Sequence, residues 1–241
     1  MLRLENVSFS VDTDGGEKDI LRNVSLEFAD PFTVITGPNG GGKSTLAKII
    51  SGIYKPTSGR IYIDDRDITD MSITDRANAG IGYAFQQPVR FKGITVADLI
   101  KIAARRDIGV TEACTYLSEV GLCARDYINR EINATLSGGE LKRIEIATIL
   151  ARGTEISVFD EPEAGIDLWS FNSLIKVFEN MREKVRGSII IISHQERILN
   201  IADRIVVISD GEIVHTGTKD EVLPTLFGGG SVCSILKDKI D

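Results

Sequence analysis

The sequence predicts an α/β protein with a mainly parallel sheet that is covered by helices on both faces. Three apolar segments have the length and composition of buried strands, at 156–160, 188–193 and 204–209, and an amphipathic helical segment at 168–185 separates the first two. A fourth apolar strand, at 33–36, precedes a glycine-rich loop and a helical pattern. Strands that alternate with helices in this way indicate a parallel sheet.

The other segments are expected to add an N-terminal β region, a helical lobe and a peripheral strand. Further strands are predicted at 2–9, 24–28, 61–63 and 80–85, with a polar turn at 12–16. From 88 to 153 the apolar spacing is helical, so we expect a helical lobe inserted into a single 1–241 domain. Its α/β core would comprise 1–87 and 154–241, with a short peripheral strand at 211–217.

The composition is typical of a soluble globular protein, with 42% hydrophobic and 26% charged residues in a chain of 241. The net charge of −7 argues against a nucleic-acid backbone as the main partner, and no segment approaches the roughly 18 apolar residues of a membrane span. The N-terminus has no secretory h-region, and Cys114, Cys123 and Cys233 lack C-x-x-C spacing. Free thiols in a reducing cytoplasm are therefore expected. No pattern assigns a role to these cysteines or to the glycine run at 228–230.

Residues 37–45 carry the most specific functional pattern. Gly37, Gly42, Lys43 and Ser44 fill G-x-x-x-x-G-K-[ST] between a strand and a helix, which is the context of a phosphate-binding loop. Backbone N–H groups and the helix N-terminus would face phosphate oxygens, Lys43 would neutralise the β- and γ-phosphates, and the Ser44 hydroxyl would ligate Mg²⁺. An ordinary glycine turn is the other explanation, but the Lys, the Ser and both flanking segments favour phosphate binding.

Three predicted strands end in polar residues suited to phosphate chemistry. Asp160 could hold Mg²⁺, and Glu161 could orient and polarise an attacking water. His194 ends another strand and is expected to bond a γ-phosphate, while the amide of Gln86 could reach Mg²⁺ or the water. Each could be an ordinary residue at a solvated strand end, but a P-loop upstream favours function. His215, between two turn signals, is expected to be exposed.

A second phosphate site is expected where Ser137, Gly138, Gly139 and Glu140 begin a helix. Ser137 and Glu140 have capping-box spacing, so a plain helix start would also explain the pattern. A Ser-Gly-Gly turn at a helix N-terminus is itself a phosphate-binding nest. The two explanations do not exclude each other.

Together these motifs resemble those of the ATP-binding cassette (ABC) ATPases, from residue 2 to about residue 226. The resemblance implies a RecA-like P-loop NTPase core with an N-terminal antiparallel β subdomain and an inserted α-helical subdomain. It implies a Walker A loop, a Q-loop Gln86, a signature at 136–140, Walker B residues Asp160 and Glu161, a D-loop at 164–167 and a switch His194. The implied ATP-binding residues are Gly37, Pro38, Asn39, Gly40, Gly41, Gly42, Lys43, Ser44, Thr45, Ser137, Gly138 and Gly139. The implied catalytic residues are Glu161, His194 and Gln86, and the implied Mg²⁺ ligands are Ser44, Gln86 and Asp160.

The resemblance also implies an ATP-dependent, head-to-tail homodimer, in which Ser137, Gly138 and Gly139 of one subunit close on ATP held by the other. The run 137–143, S-G-G-E-L-K-R, is similar to the S-G-G-E-K-K-R of the SufC-type ATPases of iron–sulfur cluster assembly, as are the segments 75–80, 84–89 and 194–199.

The SufC-type resemblance implies a cytoplasmic ATPase that docks on a SufB/SufD-like scaffold through residues near 88–104. Three scattered cysteines do not supply the four thiolates that iron–sulfur clusters usually need, so the chain would not hold a cluster itself. One alternative is the nucleotide-binding subunit of a membrane ABC transporter, with a permease as its partner. Another is a non-transport ABC protein acting on nucleic acid or ribosomes, which the acidic charge and the single cassette disfavour.

Three residues depart from the usual ABC pattern: Glu140, at the signature's last position, where most members have Gln, and Val11 and Lys142, which give further expectations. Val11 stands where an adenine-stacking aromatic is expected, and the alternation of Phe9 with Val7 predicts that Phe9 faces the core. Lys142 stands where most members have a neutral glutamine. Its ammonium could pair with Glu161 in a resting monomer and restrain that carboxylate, or it could lie solvated on an exposed helix face; the sequence does not distinguish the two.

Overall fold

The structure is a computed structural model that describes residues 1–13, 15–133, 135–184 and 187–227. The strands are β1 (Leu2–Thr13), β2 (Gly16–Phe28), β3 (Phe32–Thr36), β4 (Ser58–Ile63), β5 (Arg66–Asp67), β6 (Ile81–Ala84), β7 (Ile156–Asp160), β8 (Ser188–Ile192), β9 (Arg204–Ser209) and β10 (Glu212–Gly217). The helices are α1 (Lys43–Ile50), α2 (Ile73–Asn78), α3 (Val96–Ala104), α4 (Val110–Glu119), α5 (Ala124–Tyr127), α6 (Gly138–Arg152), α7 (Leu168–Lys184), α8 (Glu196–Leu199) and α9 (Lys219–Phe227). Cys233 and the glycine run at 228–230 lie outside the described residues.

The chain forms two compact units, one comprising Met1–Ala79 with the chain from Ser188 onward, the other Gly80–Gly187. In the first unit, β2, β1, β4 and β5 form an antiparallel sheet in that order. In the same unit, β3 lies between β8 and β9 and pairs in parallel with both, and β10 pairs antiparallel with β9. The predicted N-terminal β region and the peripheral strand near 211–217 are therefore confirmed.

The strands β1 and β2 are longer than the sequence predicts. Both strands extend into the predicted polar turn, so that Thr13 is the partner of Gly16. Gly16 adopts a φ of 110°, which glycine tolerates, and the Thr13 hydroxyl donates to the Gly16 carbonyl at 2.7 Å. The polar residues Asp12 and Glu17 therefore pair within the sheet rather than forming part of a loop.

A buried arginine donates hydrogen bonds to the last carbonyls of α1, the helix that follows the P-loop. Arg76, on the unpredicted helix α2, is 1% exposed and donates to the carbonyls of Ile49, Ile50 and Thr69 at 2.6, 2.9 and 2.8 Å. The last carbonyls of a helix have no partner within the helix, so a buried helix end needs such donors.

Two side chains of the first unit differ from expectation. Phe9 is half-buried rather than in the core, and its ring stacks on Tyr54 with the centroids 5.3 Å apart and the planes 6° from parallel. His215 is half-buried rather than exposed, and its Nε2 is buried without a hydrogen-bond partner among the described residues.

The second unit contains the predicted helical segment. β6 and β7 pair in parallel, and α3 and α4 pack on α6. Ser157, a polar residue in the otherwise apolar β7, is 1% exposed, and its hydroxyl lies 2.7 Å from that of Thr154, so the two satisfy each other. The domain boundaries predicted at 87/88 and 153/154 stay a prediction. Within the described part of the chain, no helix combines the length and the apolar content needed to cross a membrane.

Candidate functional site

The P-loop of the first unit has a backbone that only glycine can adopt at its first position. Gly37 has a φ of 133°, and a Cβ there would lie 2.0 Å from the carbonyl oxygen of Ile208 in β9. The Gly41 carbonyl accepts from the N–H of Gly211 at 3.1 Å. These contacts hold the loop against β9 and the turn that follows it, and the first of them explains why position 37 needs glycine.

The N-terminus of α1 is built to leave room for an anion. Its N-cap is Gly42, with a φ of 102° and no side chain to accept from the first turn of the helix. An N-terminus without a side-chain cap presents its N–H groups and positive potential to a ligand. Lys43, 6% exposed, donates to the carbonyls of Gly37 and Pro38 at 2.9 and 2.8 Å. The predicted phosphate contacts of this loop stay predictions, but its geometry suits them.

His194 also belongs to the first unit. It follows β8, is exposed, and its Nε2 lies 3.3 Å from Nε2 of Gln195. A side chain at the carboxyl end of a parallel strand is well placed to face a ligand crevice. Its bond to a γ-phosphate stays a prediction.

The carboxyl ends of β6 and β7 bring four polar side chains together in the second unit. Tyr83 and Ala84 pair with Val158 and Phe159, so the residues that follow emerge at one edge. There the Tyr83 hydroxyl donates to Asp160 at 2.9 Å, and Gln86 Nε2 donates to Glu161 Oε2 at 2.6 Å. We name this group, Tyr83, Gln86, Asp160 and Glu161, the acidic edge.

Glu161 has an unusual backbone. Its φ of 45° lies in the left-handed region, which is costly for a residue other than glycine. The carbonyl of Glu161 accepts from the N–H of Ala164 at 2.9 Å, so a turn begins at once after β7. The turn maintains this backbone conformation, in which the Glu161 carboxylate lies within hydrogen-bonding distance of Gln86.

The predicted capping box at the signature is confirmed. The Ser137 hydroxyl accepts from the N–H of Glu140 at 3.3 Å, and the Glu140 carboxylate accepts from the N–H of Ser137 at 2.7 Å. The same carboxylate accepts from the Tyr127 hydroxyl and lies 3.8 Å from Arg130. Burial opposes ionisation of Glu140, but the hydrogen bonds from Tyr127 and Ser137, with Arg130 nearby, lower its pKa below 4.5. The hydrogen bond to Glu140, with burial, raises the pKa of Tyr127 above 10.0.

The signature glycines pack tightly against the predicted D-loop and the start of α7. A Cβ on Gly138 would lie 3.1 Å from the Gly165 carbonyl oxygen, and one on Gly139 would lie 2.9 Å from Ser170. Asp167 accepts from the N–H groups of Trp169 and Ser170, both at 3.0 Å, and so caps α7. A cavity of about 670 Å³ opens here, lined by residues 86–88 and 90, Gly138, Leu141, Ala164 and Gly165.

Both expectations for Lys142 are wrong. The side chain is 1% exposed, so it is not a solvated surface lysine. It donates to the Phe85 carbonyl and to Glu145 Oε2, the latter at 3.1 Å, while Glu161 accepts from Gln86 instead. The sequence signal missed here is Glu145, which lies three residues after Lys142 on the same helix and can therefore meet it.

The structure brings together some of the predicted residues and adds others. Gln86 and Glu161 are bonded, and the signature residues lie in the same unit as these two. The P-loop and His194 belong to the first unit. Tyr83, the partner of Asp160, was not predicted, although its place one residue before the end of β6, the strand parallel to β7, was a usable signal.

Comparison with known proteins gives the family. The model of the ABC transporter family matches residues 21–164. The uncharacterized ABC transporter ATP-binding protein MJ0035 of Methanocaldococcus jannaschii is 39% identical over 216 residues, 86% of each chain. The probable ATP-dependent transporter ycf16 of Antithamnion sp. is 32% identical and covers 92% of this chain and 93% of its own.

A solved structure agrees with these relatives. The dimeric ATP-binding cassette MJ0796, in a post-hydrolysis state bound to ADP and Pi, is 26% identical and superposes with a TM-score of 0.81, covering 91% of this chain and 99% of its own. The predicted P-loop NTPase fold, with an N-terminal antiparallel β subdomain and an inserted helical subdomain, is thereby confirmed. The chain belongs to the ABC transporter family and is an ABC-type ATP hydrolase.

Proposed function

We propose that this chain is a cytoplasmic SufC-like ATPase, which uses ATP to drive a scaffold that assembles iron–sulfur clusters. The observation that carries this proposal is the signature run at 137–143, in which the Glu140 carboxylate accepts hydrogen bonds. A carboxylate at this position accepts from both Ser137 and Tyr127, so the residue that departs from the usual glutamine is part of the local structure. The similar segments at 75–80, 84–89 and 194–199 support the same subfamily.

In this proposal each functional side chain has one role. Residues 37–45 hold the phosphates, and Glu161 orients and polarises the attacking water. Gln86 holds the Glu161 carboxylate, to which it already donates at 2.6 Å. His194 donates to the γ-phosphate. Each role follows from the place of the side chain at a loop or strand end.

We propose that Mg²⁺ accompanies ATP. Mg²⁺ in nucleotide sites keeps several waters and takes one or two protein ligands besides the phosphates, and it neutralises the charge of the phosphates. Ser44, in the first turn of α1, and Asp160, at the end of β7, supply the oxygen donors that such a site needs, and Gln86 supplies an amide oxygen. The described residues contain no group of three or more His, Cys, Asp or Glu that could hold a metal ion.

We propose that the active form is a head-to-tail homodimer. Ser137 and Gly138 are exposed at the N-terminus of α6, where N–H groups and the helix dipole favour a phosphate. An exposed phosphate site in a chain that already has a P-loop is explained if it serves the nucleotide of a second copy.

The partner surface is proposed at the predicted residues 88–104, together with the exposed Phe85 just before them. Phe85, Val89, Phe91 and Ile102 in this segment are 43%, 49%, 37% and 63% exposed. Several large apolar side chains exposed within one short segment are typical of a protein-binding surface. Since the segment begins beside Gln86, a bound partner would be linked directly to the acidic edge.

A second candidate is the ATP-binding subunit of a membrane transporter, with a permease on the same surface. The names of the relatives favour it, because MJ0035 and ycf16 are both described as transporter proteins. The two candidates share the ATPase and differ in the partner.

Affinity capture of the tagged full-length chain from membrane-free and from detergent extracts tests the choice. Recovery of a soluble scaffold supports the first candidate, and recovery of an integral permease supports the second. Phe91→Asp should lose the partner, whereas Ile73→Asp, at an apolar residue of the first unit that is 53% exposed, should keep it. A partner that Phe91→Asp retains would place the docking surface elsewhere.

A further inference from the structure

Two charged side chains of α6 hold the backbone of Phe85 from both sides. Glu145 Oε1 accepts from the Phe85 N–H at 3.0 Å, and Lys142 Nζ donates to the Phe85 carbonyl. Lys142 and Glu145 are themselves paired at 3.1 Å, which closes the arrangement. We name these three residues the Phe85 clamp. It fixes both peptide groups that flank one residue, just after β6 ends at Ala84.

The clamp lies directly before a residue of the acidic edge. Gln86 follows Phe85, and its Nε2 donates to Glu161 Oε2 at 2.6 Å. A side chain can hold a carboxylate only when its own backbone is fixed. Since Gln86 and the rest of the segment 85–87 are exposed, packing alone does not provide that restraint. The clamp does.

The charges of the clamp are expensive to bury. The Lys142 and Glu145 side chains are 2% and 15% exposed. Burial raises the pKa of Glu145, and the nearby Lys142 opposes that rise. Because a buried ion pair often contributes no more stability than apolar residues of the same size, its presence here is better explained by the two backbone bonds that it makes.

We propose that Lys142 and Glu145 are positioning residues for ATP hydrolysis, acting through Phe85 and Gln86 on Glu161. This inference rests on the proposed roles of Gln86 and Glu161. It also connects two parts of the site within one chain. α6 begins at the signature residues and carries the clamp, so the helix that would meet a second copy's nucleotide also holds the residue next to Gln86.

Steady-state ATP hydrolysis by the full chain tests the clamp. Lys142→Met, which keeps the length of the side chain and removes its ammonium, should lower kcat about tenfold, because small misplacements of reacting groups have effects of this size or larger. The KM for ATP should stay within about twofold, because the P-loop is not altered. The matched control is Lys176→Met, at an exposed lysine of α7, which should leave both constants unchanged. Binding of a fluorescent ATP analogue and thermal unfolding show whether each variant is folded.

A double-mutant cycle separates positioning from general damage. In a Gln86→Ala background, Lys142→Met should change kcat by less than about twofold, because the residue through which it acts is already gone. Equal losses in both backgrounds would overturn the inference, and so would a rise in kcat, which would mean that the contact restrains Glu161. If Lys142→Met does not fold, Glu145→Gln provides the same test, with a loss of about threefold expected.

Two single variants keep this inference distinct from the proposed function. If Gln86→Ala and Glu161→Gln retain wild-type turnover, the proposed catalytic roles fail. If both lose turnover and neither clamp variant does, only the clamp fails.

Discussion

Two buried lysines, one in each compact unit, make different kinds of contact. Lys43, in the P-loop, donates to the carbonyls of Gly37 and Pro38, six and five residues away. Lys142 donates to the carbonyl of Phe85, 57 residues away, and to a carboxylate on its own helix. The first contact belongs to a short loop and can be anticipated from residue spacing alone. The second depends on the packing of a helix beside a strand end, which spacing does not give.

The difference has a functional counterpart. Lys43 is expected to contact the ligand itself, so its loss should affect binding. Lys142 can act only through the backbone that it holds, so its loss should affect turnover with binding kept.

Lys43→Ala should weaken ATP binding about a hundredfold, because a charge-assisted contact to phosphate contributes roughly 1.5–3 kcal/mol. Isothermal titration with ATP measures this directly. Lys48→Ala, on the same helix α1, is the control and should bind within about threefold of wild type. Equal binding by both variants would remove Lys43 from the phosphate site.

Arg76→Met tests a buried cation that has no proposed part in the chemistry. The carbonyls of Ile49, Ile50 and Thr69 would each lose one hydrogen bond, so the free energy of unfolding should fall by about 3 kcal/mol, which corresponds to roughly 10 °C in Tm for a chain of this size. ATP affinity measured well below that temperature should be unchanged.

The control for this prediction is Arg60→Met, at a side chain that is 67% exposed and 3.4 Å from Asp67. Its effect on stability should be within about 0.5 kcal/mol. A similar loss in both variants would show that the bonds of Arg76 to the end of α1 are not the source of its effect.

Tyr127→Phe should make the signature more sensitive to acid. The pKa of Glu140 is lower in the folded chain than its ordinary 4.5, so its contribution to stability is present above that value and is lost as the pH falls through the folded pKa. Removing the Tyr127 hydroxyl should raise this pKa toward 4.5 and cost about 1 kcal/mol at pH 7. Urea unfolding of both forms at several pH values between about 3 and 7 gives the free energy of unfolding of each form as a function of pH. Parallel curves would contradict the assignment.

Base selectivity should be weak. Stacking of a base on an aromatic ring contributes roughly 1–3 kcal/mol. Val11 cannot supply it, and the Phe9 ring is already stacked on Tyr54. ATP and GTP affinities measured by calorimetry should therefore differ by less than about tenfold. Val11→Tyr should increase the preference for ATP over GTP. A strong preference in the wild type would indicate that another aromatic side chain contacts the base.

Local chemistry explains which parts of this molecule are predictable from sequence. The P-loop, the carboxylates at the end of β7 and the capping box of α6 depend on residues a few positions apart, so pattern and spacing were sufficient. The helix α2, the buried Arg76 and the Phe85 clamp satisfy polar groups that become buried only when distant segments pack. The surroundings of His215 and Phe9 were missed for the same reason, because burial is set by tertiary contacts. The left-handed backbone of Glu161 was missed because a residue other than glycine gives no signal for it.

The most direct test of the division between binding and hydrolysis is the behaviour of Glu161→Gln with Mg-ATP. The carboxylate has little part in holding the ground-state nucleotide, so this variant should bind ATP as the wild type does while its turnover falls at least about a hundredfold. Size-exclusion chromatography with Mg-ATP should then show a stable dimer for Glu161→Gln and none for Lys43→Ala. Wild-type turnover in Glu161→Gln would contradict the account.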